Sequence, residues 1–462
     1  MHPTLFRDAT EPERPGDGAP SIRSRRGRAA RTATAERVVV VGGGAGGLEL
    51  AVRLARRARR RDGLTVTLVD AAPTHLWKPL LHELATGSLN GHRDETSYAM
   101  LGARHGFEFV LGRVTGIDAG ARELRLDALR DRAGETLVPE RALGWTKLVL
   151  AVGSESADFG VEGVAWHAHH LDSRAAADRL HEDFVSAVQR THAADVDGTL
   201  SIVIVGGGAT GVELAADLHG VLDRLRARHV PTLPPKRLRV SVVEASDRLL
   251  APLPERVGEA ARDELERLGV RVATGSRVTR VFAGNVTLAG GERLRSNLTV
   301  WAAGIRAPGL LAASGLPVDG LGRVRVDAAL RVEGVDDAFA IGDCAACTDA
   351  RGAAVPPRAQ SAHQMAKAAA RNVLAACAGR EPAPFVYRDV GSLVNLSRYR
   401  TVGSVVGAVS GRDRFVAGRL ARVAYLSLYR MHQAAVHGPV GAVLLALGDR
   451  LHRVTHASVK LH

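Results

Sequence analysis

The sequence predicts an α/β fold built around two copies of a strand, glycine-rich turn and helix unit. The β-branched run at residues 38–41 leads directly into the glycines at positions 42–47 and then into a helical pattern. The same order of residues returns from Ile202 onward, with Gly206 standing 164 positions after Gly42. Other short apolar runs end in glycine, as expected for parallel strands that are buried on both faces.

Length and composition place the chain among folded globular proteins. Its 462 residues are 46% hydrophobic and 24% charged, which excludes a wholly disordered chain. At roughly 150 residues per domain, this length predicts about three domains, or two large domains with an appendage. The net charge of +13 arises in an arginine-rich chain with five lysines, so we interpret it as compositional bias and expect no nucleic-acid partner. Three cysteines are too few for a disulfide framework and are typical of a reducing compartment.

Residues 1–36 differ from the rest of the chain. They are rich in Pro, Gly, Ser and Arg and lack hydrophobic periodicity, so we predict a disordered tail. Four acidic residues argue against an organelle transit peptide, namely Asp8, Glu11, Glu13 and Asp17. No apolar run in the chain reaches the roughly 18–20 residues that would span a bilayer, and no transmembrane helix is predicted.

The first glycine-rich turn, residues 42–47, has the spacing of a dinucleotide-binding site. Gly42 permits the tight turn, Gly44 lets the backbone approach a pyrophosphate, and Gly47 lets the helix pack on the strand. The N–H groups of the helix N-terminus then face the phosphates. Asp70, at the end of the next strand, is placed to accept hydrogen bonds from ribose hydroxyls.

The second glycine-rich turn, residues 206–211, repeats the pattern with Gly206, Gly208 and Gly211. Its acidic residue is Glu244, at the end of the following strand. A carboxylate there repels a 2′-phosphate, which favours NADH over NADPH. Arg248 leaves the alternative open, because an arginine can receive such a phosphate. Two complete copies predict two dinucleotide sites.

Three further segments end apolar runs in glycine, at residues 148–153, 298–304 and 338–342, and Asp343 follows the last. With them the chain resembles the flavoprotein reductases that bind two dinucleotides. The resemblance implies that the first turn binds FAD, that the second binds NADH in an inserted domain, and that Asp343 holds the flavin ribityl chain. The predicted boundaries are 37–160 and 305–387 for the two parts of the FAD-binding domain, 161–304 for the NADH-binding domain and 388–462 for a C-terminal membrane-association region.

Longer motifs narrow the resemblance to one family. Residues 76–87 read LWKPLLHELATG, residues 300–305 VWAAGI, residues 356–364 PPRAQSAHQ, residues 428–433 LYRMHQ and residues 459–462 VKLH. These segments look like those of the bacterial type II NADH:quinone oxidoreductases, and the similarity covers residues 37–462. It implies a peripheral flavoprotein on the cytoplasmic face of the cell membrane that passes electrons from NADH to quinone without pumping protons.

The resemblance also implies roles for individual residues. It places Glu213 near the nicotinamide and flavin, Lys78 beside the flavin ring, and Gln360 and Gln364 facing quinone. A plain surface role for Lys78 and a helix-dipole role for Glu213 stay open. The residues expected to bind FAD are Gly42, Gly44, Ala45, Gly46, Gly47, Asp70, Lys78, Gly153, Asp343, Ala359 and Gln360. Those expected to bind NADH are Gly206, Gly208, Thr210, Gly211, Glu213, Glu244, Ala303 and Gly304.

The cysteines separate related reductases. Disulfide reductases need a redox-active cysteine pair against the flavin, and sulfide:quinone oxidoreductases use cysteines from both halves of the chain, whereas residues 1–343 here contain none. Cys344 and Cys347 have the spacing of a redox pair, but they directly follow Asp343, so we interpret them as small core residues. A disulfide or sulfide:quinone type of reductase is the alternative function, and a basic nucleic-acid-binding protein is a less favoured one.

Glu49 and two sets of histidines are interpreted as structural residues. Glu49 follows Gly47 as Glu213 follows Gly211, and stabilisation by the helix dipole is a sufficient account of it. The histidine sets at positions 167, 169 and 170 and at positions 432, 437, 452, 456 and 462 lack further metal ligands at a suitable spacing. We therefore predict no metal site and assign the second set to interfacial packing or pH-dependent charge.

The C-terminal region is strongly basic. From Arg388 onward, eleven Lys or Arg residues stand against three Asp or Glu, a net charge of +8. Residues 420–437 combine an apolar face with Arg422 and Arg430, and residues 440–447 form a short apolar run. Basic residues beside apolar helices bind anionic lipid headgroups. The pattern alone is equally suited to cover a homodimer partner or the FAD-binding domain, and the resemblance favours the lipid surface.

Overall fold

A computed structural model of the full chain describes residues 35–89, 95–194, 198–396, 400–406 and 413–455. The predicted disordered tail lies outside these residues except for its last two positions. The C-terminal VKLH motif, His456 and His462 also lie outside them.

The first domain is a five-stranded parallel sheet with helices on its faces. The strand order across the sheet is Ala338–Ala340, Lys147–Leu150, Glu36–Val41, Leu64–Asp70 and Glu108–Leu111. The central strand pairs Val38 with Val66 on one side and with Lys147 on the other. The covering helices are Ala45–Ala58, Tyr98–His105 and Ala359–Ala376. Because residues 38–41 of the central strand are apolar on both faces, they are buried and form the middle of the core.

The second domain repeats this arrangement. Its sheet has the order Ala168–His170, Leu298–Trp301, Leu200–Val205, Leu238–Val243 and Arg271–Ala273, all parallel. The helices Arg174–Ala193, Ala209–Ala227 and Glu255–Arg267 flank it. The chain leaves the first sheet after Leu150 and returns to it at Ala338, so the second domain is an insertion. The predicted α/β class with two Rossmann-like units is confirmed.

Small antiparallel elements decorate and join the two domains. Glu155–Ser156 pairs with Ile305–Arg306, and these two strands are the outgoing and returning crossings between the domains. The antiparallel sheets are Val114–Asp118, Glu123–Leu126 and Arg141–Gly144 in the first domain, and Val278–Phe282, Asn285–Leu288 and Arg293–Arg295 in the second. Further short antiparallel pairs are Thr74–His75 with Thr96–Ser97 and Leu129–Arg130 with Thr136–Val138. Val324–Val326 pairs in parallel with Ala345–Cys347. The short helices are Leu81–Thr86, Val164–His167 and Leu310–Ala313.

The C-terminal region begins with the antiparallel strands Gly391–Leu396, Arg400–Val406 and Asp413–Ala417. The helical segment Arg419–Thr455 follows and is broken at Gly438, where φ is 83° and ψ is 165°. Pro439 comes next, so the break separates residues 419–437 from residues 439–455. Within the described residues, no helix combines the length and apolar character needed to cross a bilayer.

The two halves of this helical segment have different surroundings. In the first half, His432 and Val436 are buried. Arg56 and Arg104 of the first domain donate hydrogen bonds to the carbonyls of Val436 and His437, at 3.4 and 3.3 Å, and so cap the end of this half. The second half leaves a row of apolar side chains exposed, namely Val440, Val443, Leu444, Leu447 and Leu451. The first half of the segment therefore packs on the first domain, which was one of the alternatives left open by the sequence.

Candidate active site

The first glycine-rich turn has the shape of a nucleotide cradle. Gly42 has φ of 99°, in the region that favours glycine. A Cβ on Gly47 would lie 1.9 Å from the carbonyl oxygen of Gly42, so only glycine lets the helix approach the strand this closely. A Cβ on Gly44 would meet nothing within 4 Å. The backbone is therefore open at the position where a pyrophosphate would lie against the helix N-terminus.

The second glycine-rich turn reproduces this geometry. Gly206 has φ of 114°, and a Cβ on Gly211 would lie 2.0 Å from the Gly206 carbonyl oxygen. A Cβ on Gly208 would again meet nothing within 4 Å, and Thr210 beside it is exposed. The two turns thus offer equivalent open helix N-termini, both shaped for a dinucleotide.

The acidic residue after each cradle makes the same pair of contacts. Asp70 accepts hydrogen bonds from the amides of Gly43 at 2.6 Å and Ala72 at 2.8 Å. Glu244 accepts hydrogen bonds from the amides of Gly207 at 2.6 Å and Ser246 at 2.7 Å. Burial raises the pKa of Asp70, and the backbone hydrogen bonds oppose that rise. Both carboxylates are therefore held at the edge of their cradle, where a ribose would lie.

Arg248 has a structural task in this geometry. Its guanidinium donates hydrogen bonds to the carbonyls of Ala251 and Leu253, the latter at 2.9 Å, and so closes the loop that follows the strand ending at Val243. These bonds occupy the side chain with its own loop. The geometry favours the NADH assignment, because Glu244 rather than Arg248 is the residue fixed at the cradle.

Lys78, Gly153 and Asp343 come together at the carboxyl ends of the first sheet. Lys78 Nζ donates a hydrogen bond to the Ser154 carbonyl at 2.7 Å, and Ser154 Oγ donates one to Asp343 Oδ2 at 2.9 Å. Gly153 has φ of 71°. Three segments that are far apart in the sequence thus meet at the edge where α/β sheets bind ligands. Lys78 is fixed at this site by its bond to the backbone.

The helix Ala359–Ala376 begins against the first cradle. A Cβ on Gly46 would lie 3.2 Å from the Ala362 carbonyl oxygen, which shows how closely the two helices pack. Gln360 donates hydrogen bonds to Tyr387 Oη at 2.6 Å and to Asp389 Oδ1 at 2.9 Å. Gln364 forms two hydrogen bonds with the Arg388 backbone, to its carbonyl at 2.7 Å and from its amide at 3.0 Å. In this structure Gln364 ties the C-terminal segment to the helix, and its contact with quinone stays a prediction.

Glu213 does not cap its own helix. Its Oε1 accepts a hydrogen bond from the Asn395 amide at 2.9 Å, and its Oε2 lies 3.7 Å from His82 Nδ1. Burial raises the pKa of Glu213 to about 8, with Glu83 and Asp217 adding to the rise and the Asn395 amide opposing it. The helix-dipole interpretation left open by the sequence is therefore not supported by the contacts. Glu213 lies where the helix Ala209–Ala227, the helix Leu81–Thr86 and the C-terminal sheet meet.

A second buried carboxylate, one turn further along the same helix, was not found from the sequence. Asp217 Oδ2 accepts hydrogen bonds from Thr86 and from Ser88, the latter at 2.9 Å, and Arg224 lies 3.8 Å from Oδ1. Its position four residues after Glu213 puts both acids on one helix face. That spacing was the available signal.

The remaining residues expected to bind NADH lie at the returning crossing between the domains. Gly304 has φ of 66° and is exposed, and Ala303 is half-buried beside it. A Cβ on Gly304 would lie 2.1 Å from the ring of Phe159. The outgoing and returning crossings therefore contact each other here, beside the open second cradle.

The helix-dipole interpretation of Glu49 does not account for its contacts. Glu49 makes no helix cap; its side chain is completely buried, and Oε1 hydrogen-bonds His432 Nδ1 at 2.9 Å. Its Oε2 lies 2.7 Å from His363 Nδ1 and 3.7 Å from Arg53. Its place between Leu48 and Leu50 in an apolar stretch was a signal of burial, but no sequence pattern named the two histidines as partners.

A cavity of about 470 Å³ lies between the first domain and the C-terminal helices. His75, Trp77, Tyr429 and His432 line it, together with apolar residues such as Val436, and Glu95, Arg104 and Asp449 contribute its charged wall. The rings of Trp77 and His432 have centroids 4.2 Å apart. The cavity therefore brings water or a ligand next to the buried histidines.

The cysteines have the surroundings of core residues. Cys344 and Cys347 are buried, and all three cysteines are free thiols. Burial raises the pKa of Cys344 to about 11 and that of Cys347 to about 12. A thiol that stays protonated is a poor nucleophile, so this pair is not equipped for disulfide exchange. Within the described residues, no three His, Cys, Asp or Glu side chains are grouped so that they could hold a metal ion.

Known proteins share both the sequence and the fold. The profile of the pyridine nucleotide-disulphide oxidoreductase family matches residues 36–366. The chain is 39% identical over 441 residues to the type II NADH:quinone oxidoreductase of Haemophilus influenzae, covering 92% of this chain and 99% of that protein. It is 31% identical to the type II NADH:quinone oxidoreductase NdhA of Mycobacterium tuberculosis, with 88% and 85% of the two chains covered.

Solved structures agree on the fold. NDH2 of Plasmodium falciparum in complex with NADH superposes with a TM-score of 0.76 at 16% identity, covering 93% of this chain and 100% of that chain. The sulfide:quinone oxidoreductase of Aquifex aeolicus superposes with a TM-score of 0.67 at 18% identity, covering 87% and 92%. The sequence similarity to relatives also extends over nearly the full length of the chain. The chain therefore belongs to the type II NADH:quinone oxidoreductases, within the pyridine nucleotide-disulphide oxidoreductase family.

Proposed function

We propose that this protein is a FAD-dependent enzyme that transfers electrons from NADH to a membrane quinone without pumping protons. The observation that carries the proposal is the pair of equivalent nucleotide cradles, in a chain that covers 99% of the type II NADH:quinone oxidoreductase of Haemophilus influenzae. One cradle would hold a resident dinucleotide, and the other would hold a dinucleotide substrate. The family resemblance supports FAD in the first cradle and NADH in the second.

The first cradle fits FAD. Gly44 leaves room for the pyrophosphate, Asp70 lies where a ribose would, and Asp343 lies at the carboxyl ends of the strands. Lys78, bonded to the Ser154 carbonyl, brings a positive charge to the same edge. Bound FAD would supply the two-electron chemistry that links the two substrates, while the protein fixes geometry and electrostatics.

The second cradle fits NADH. Gly208 leaves the helix N-terminus open to a pyrophosphate, and Glu244 presents a carboxylate where the adenosine ribose would lie. A ribose with free hydroxyls donates hydrogen bonds to that carboxylate, whereas a 2′-phosphate would be repelled by it. Ala303 and Gly304 would border the nicotinamide at the crossing between the domains.

The quinone would bind at the first turn of the helix Ala359–Ala376. Gln360 is held there by Tyr387 and Asp389 and donates hydrogen bonds from its Nε2. Its Oε1 is buried without a partner among the described residues. An unpartnered buried acceptor is costly, and it would be relieved by a donor on the ligand, such as a quinol hydroxyl.

The second half of the C-terminal helical segment would lie on an anionic lipid surface. Val440, Val443, Leu444, Leu447 and Leu451 recur at helical spacing and are exposed. Arg450, which lies within this row, is also exposed and can contact lipid phosphates. Such a placement would make the protein a peripheral enzyme next to the lipid that dissolves its quinone. The resemblance to the family supports the cytoplasmic face of the cell membrane as that surface. The same exposed row could also serve a homodimer contact.

A panel of electron acceptors tests the function. Purified protein with bound flavin is given NADH and, in separate reactions, a benzoquinone and a naphthoquinone in liposomes, a disulfide and a ferredoxin; sulfide replaces NADH in a further reaction. We expect NADH consumption with a quinone and a yellow protein that bleaches with NADH. Turnover with the disulfide, or with sulfide as donor, and none from NADH to either quinone would overturn the assignment.

A further inference from the structure

Four side chains from four segments form one buried chain of contacts, which we call the histidine relay: His75, His432, Glu49 and His363. His75 Nδ1 hydrogen-bonds the Gly43 carbonyl oxygen at 2.9 Å. His75 Nε2 lies 2.9 Å from His432 Nε2, and His432 Nδ1 lies 2.9 Å from Glu49 Oε1. Glu49 Oε2 then lies 2.7 Å from His363 Nδ1. None of these four residues is among those expected to bind FAD, NADH or quinone.

Hydrogen-bond accounting fixes where the protons lie. The Gly43 carbonyl can only accept, so His75 Nδ1 carries a proton. Burial lowers the pKa of His75 to about 3, and the nearby His432 lowers it further, so His75 is neutral and its Nε2 is an acceptor. His432 Nε2 must therefore donate to it. Between His432 Nδ1 and Glu49 Oε1 one more proton is needed for a hydrogen bond.

When Glu49 is a carboxylate, it accepts this hydrogen bond and the proton lies on His432 Nδ1. Burial alone would raise the pKa of Glu49, but its interactions with His363 and His432 together outweigh burial and leave the pKa below the ordinary value. Arg53, on the same helix, is the other cation facing it, at 3.7 Å. The pair is enclosed, since the side chain of Glu49 is fully buried and that of His432 is 5% exposed.

The other oxygen of Glu49 leads toward the proposed quinone site. The Glu49–His363 distance is that of an ion pair, but its angles are not those of a hydrogen bond, and neither atom has another hydrogen-bond partner among the described residues. A small rotation of the imidazole would complete the bond. His363 follows Gln360 by three residues, so the two are neighbours on the helix Ala359–Ala376.

The opposite end of the relay faces the cavity of about 470 Å³, which His75 and His432 line. Its charged wall includes Glu95, Arg104 and Asp449, and His437 also borders it. Burial lowers the pKa of His437, and the charges of Arg104 and His432 lower it further. A cavity of this volume with polar groups in its wall has room for water beside His432.

The reaction has a proton deficit that such a chain can meet. Oxidation of NADH to NAD⁺ releases two electrons and one proton, whereas reduction of a quinone to a quinol consumes two electrons and two protons. One proton per turnover must come from water. This step rests on the function proposed above.

We propose that the histidine relay delivers that proton, with Glu49 passing it from His432 to His363 and His363 giving it to quinone bound at the first turn of the helix Ala359–Ala376. An N–H bond of His363 breaks as an O–H bond of the quinol forms. His432 then recovers a proton from water in the cavity. Glu49 and His432 are relay residues that act through His363.

Glu49→Gln is the main test, because glutamine keeps the shape of the side chain and removes its charge. Glu264→Gln is the matched control, a buried glutamate on the helix Glu255–Arg267 that pairs with Arg267. Each holoenzyme is mixed with NADH alone, and then turned over with quinone in liposomes across a pH series in H₂O and D₂O. Positioned proton transfer accelerates reactions by about 100-fold or more.

We expect Glu49→Gln to bleach with NADH at the wild-type rate but to reduce quinone roughly 100-fold more slowly. Its quinone rate should fall with rising pH and show a larger D₂O effect than wild type or Glu264→Gln. Equal quinone rates and equal pH profiles in Glu49→Gln and Glu264→Gln would overturn the relay while leaving the function intact. A wild-type enzyme that bleaches with NADH but reduces no quinone would overturn both.

Two further measurements keep the test independent of the folding of one variant. In ¹⁵N-histidine spectra of the resting holoenzyme, the resonance missing from His432→Asn should report two protonated ring nitrogens. In His432→Ala, added imidazoles should restore quinone reduction through the cavity, in proportion to their basicity. A singly protonated His432, or rescue that does not depend on basicity, would contradict the proposal.

Discussion

Replacing Glu213 with glutamine should change how stability depends on pH. Burial raises the pKa of Glu213 to about 8 in the folded protein, from an ordinary value of 4.5. Between these values the folded chain binds a proton that the unfolded chain has released, so the stabilisation is complete below about pH 4.5 and is lost as the pH rises through 8. At about 1.36 kcal/mol per pKa unit, the loss between pH 5 and pH 9 is about 4 kcal/mol. Glutamine keeps the acceptor for the Asn395 amide and removes the titration.

Urea unfolding of the holoenzyme at pH 5, 7 and 9, with saturating FAD, measures this effect. We expect wild type to lose about 4 kcal/mol more than Glu213→Gln over that range. Glu264→Gln changes another buried glutamate of the second domain. We expect its free energy of unfolding to depend on pH as that of wild type does. Parallel pH dependences for wild type and Glu213→Gln would show that the carboxyl group is ionised at neutral pH in the folded protein, and would refute the reasoning.

Three other outcomes follow from the geometry. Gly211→Ala should weaken NADH binding by more than tenfold while leaving FAD bound, because its Cβ would lie 2.0 Å from the Gly206 oxygen. The control is Gly284→Ala, where a Cβ meets nothing within 4 Å. Equal KM values for NADH in the two variants would contradict the assignment of this turn to NADH. Glu244→Ala should raise the NADPH to NADH ratio of kcat/KM by roughly tenfold, the loss of about 1.4 kcal/mol of repulsion, and an unchanged ratio would discard Glu244 as the discriminator. The double variant Val443→Ser, Leu447→Ser should bind vesicles up to roughly 100-fold more weakly, at about 1.5 kcal/mol per apolar side chain. The control Leu137→Ser, at another exposed leucine, should bind them like wild type. If the double variant co-sediments with vesicles as well as wild type does, lipid contact by this row is refuted.

The structure also decides how the C-terminal region is best tested. Removing residues 388–462 would take away Asn395 and His432, and leave the buried carboxylates Glu213 and Glu49 without those partners. Such a truncation would unfold the core and say nothing about lipid. A chain ending at Gly438 keeps both contacts and loses only the exposed half of the helical segment.

The sequence predicted the elements whose signal is local. Strands such as Glu36–Val41 are apolar on both faces, and the glycine spacing at 42–47 follows from backbone sterics within one turn. Burial of Glu49 and Glu213 was not predicted, because their partners His432 and Asn395 are 383 and 182 residues away. A helix dipole is the nearest explanation for an acid at a helix N-terminus, and only the packing of distant segments replaces it.

The insertion of one domain into the other imposes an order on biosynthesis. The edge strand Ala338–Ala340 completes the first sheet by pairing with Lys147–Leu150, and nearly two hundred residues are translated between them. The inserted domain is continuous and can fold as it leaves the ribosome, whereas the first sheet must wait with an open edge. We expect the nascent chain to be most vulnerable to aggregation in that interval, and ribosome stalling within the inserted domain should leave the first sheet as the protease-sensitive part.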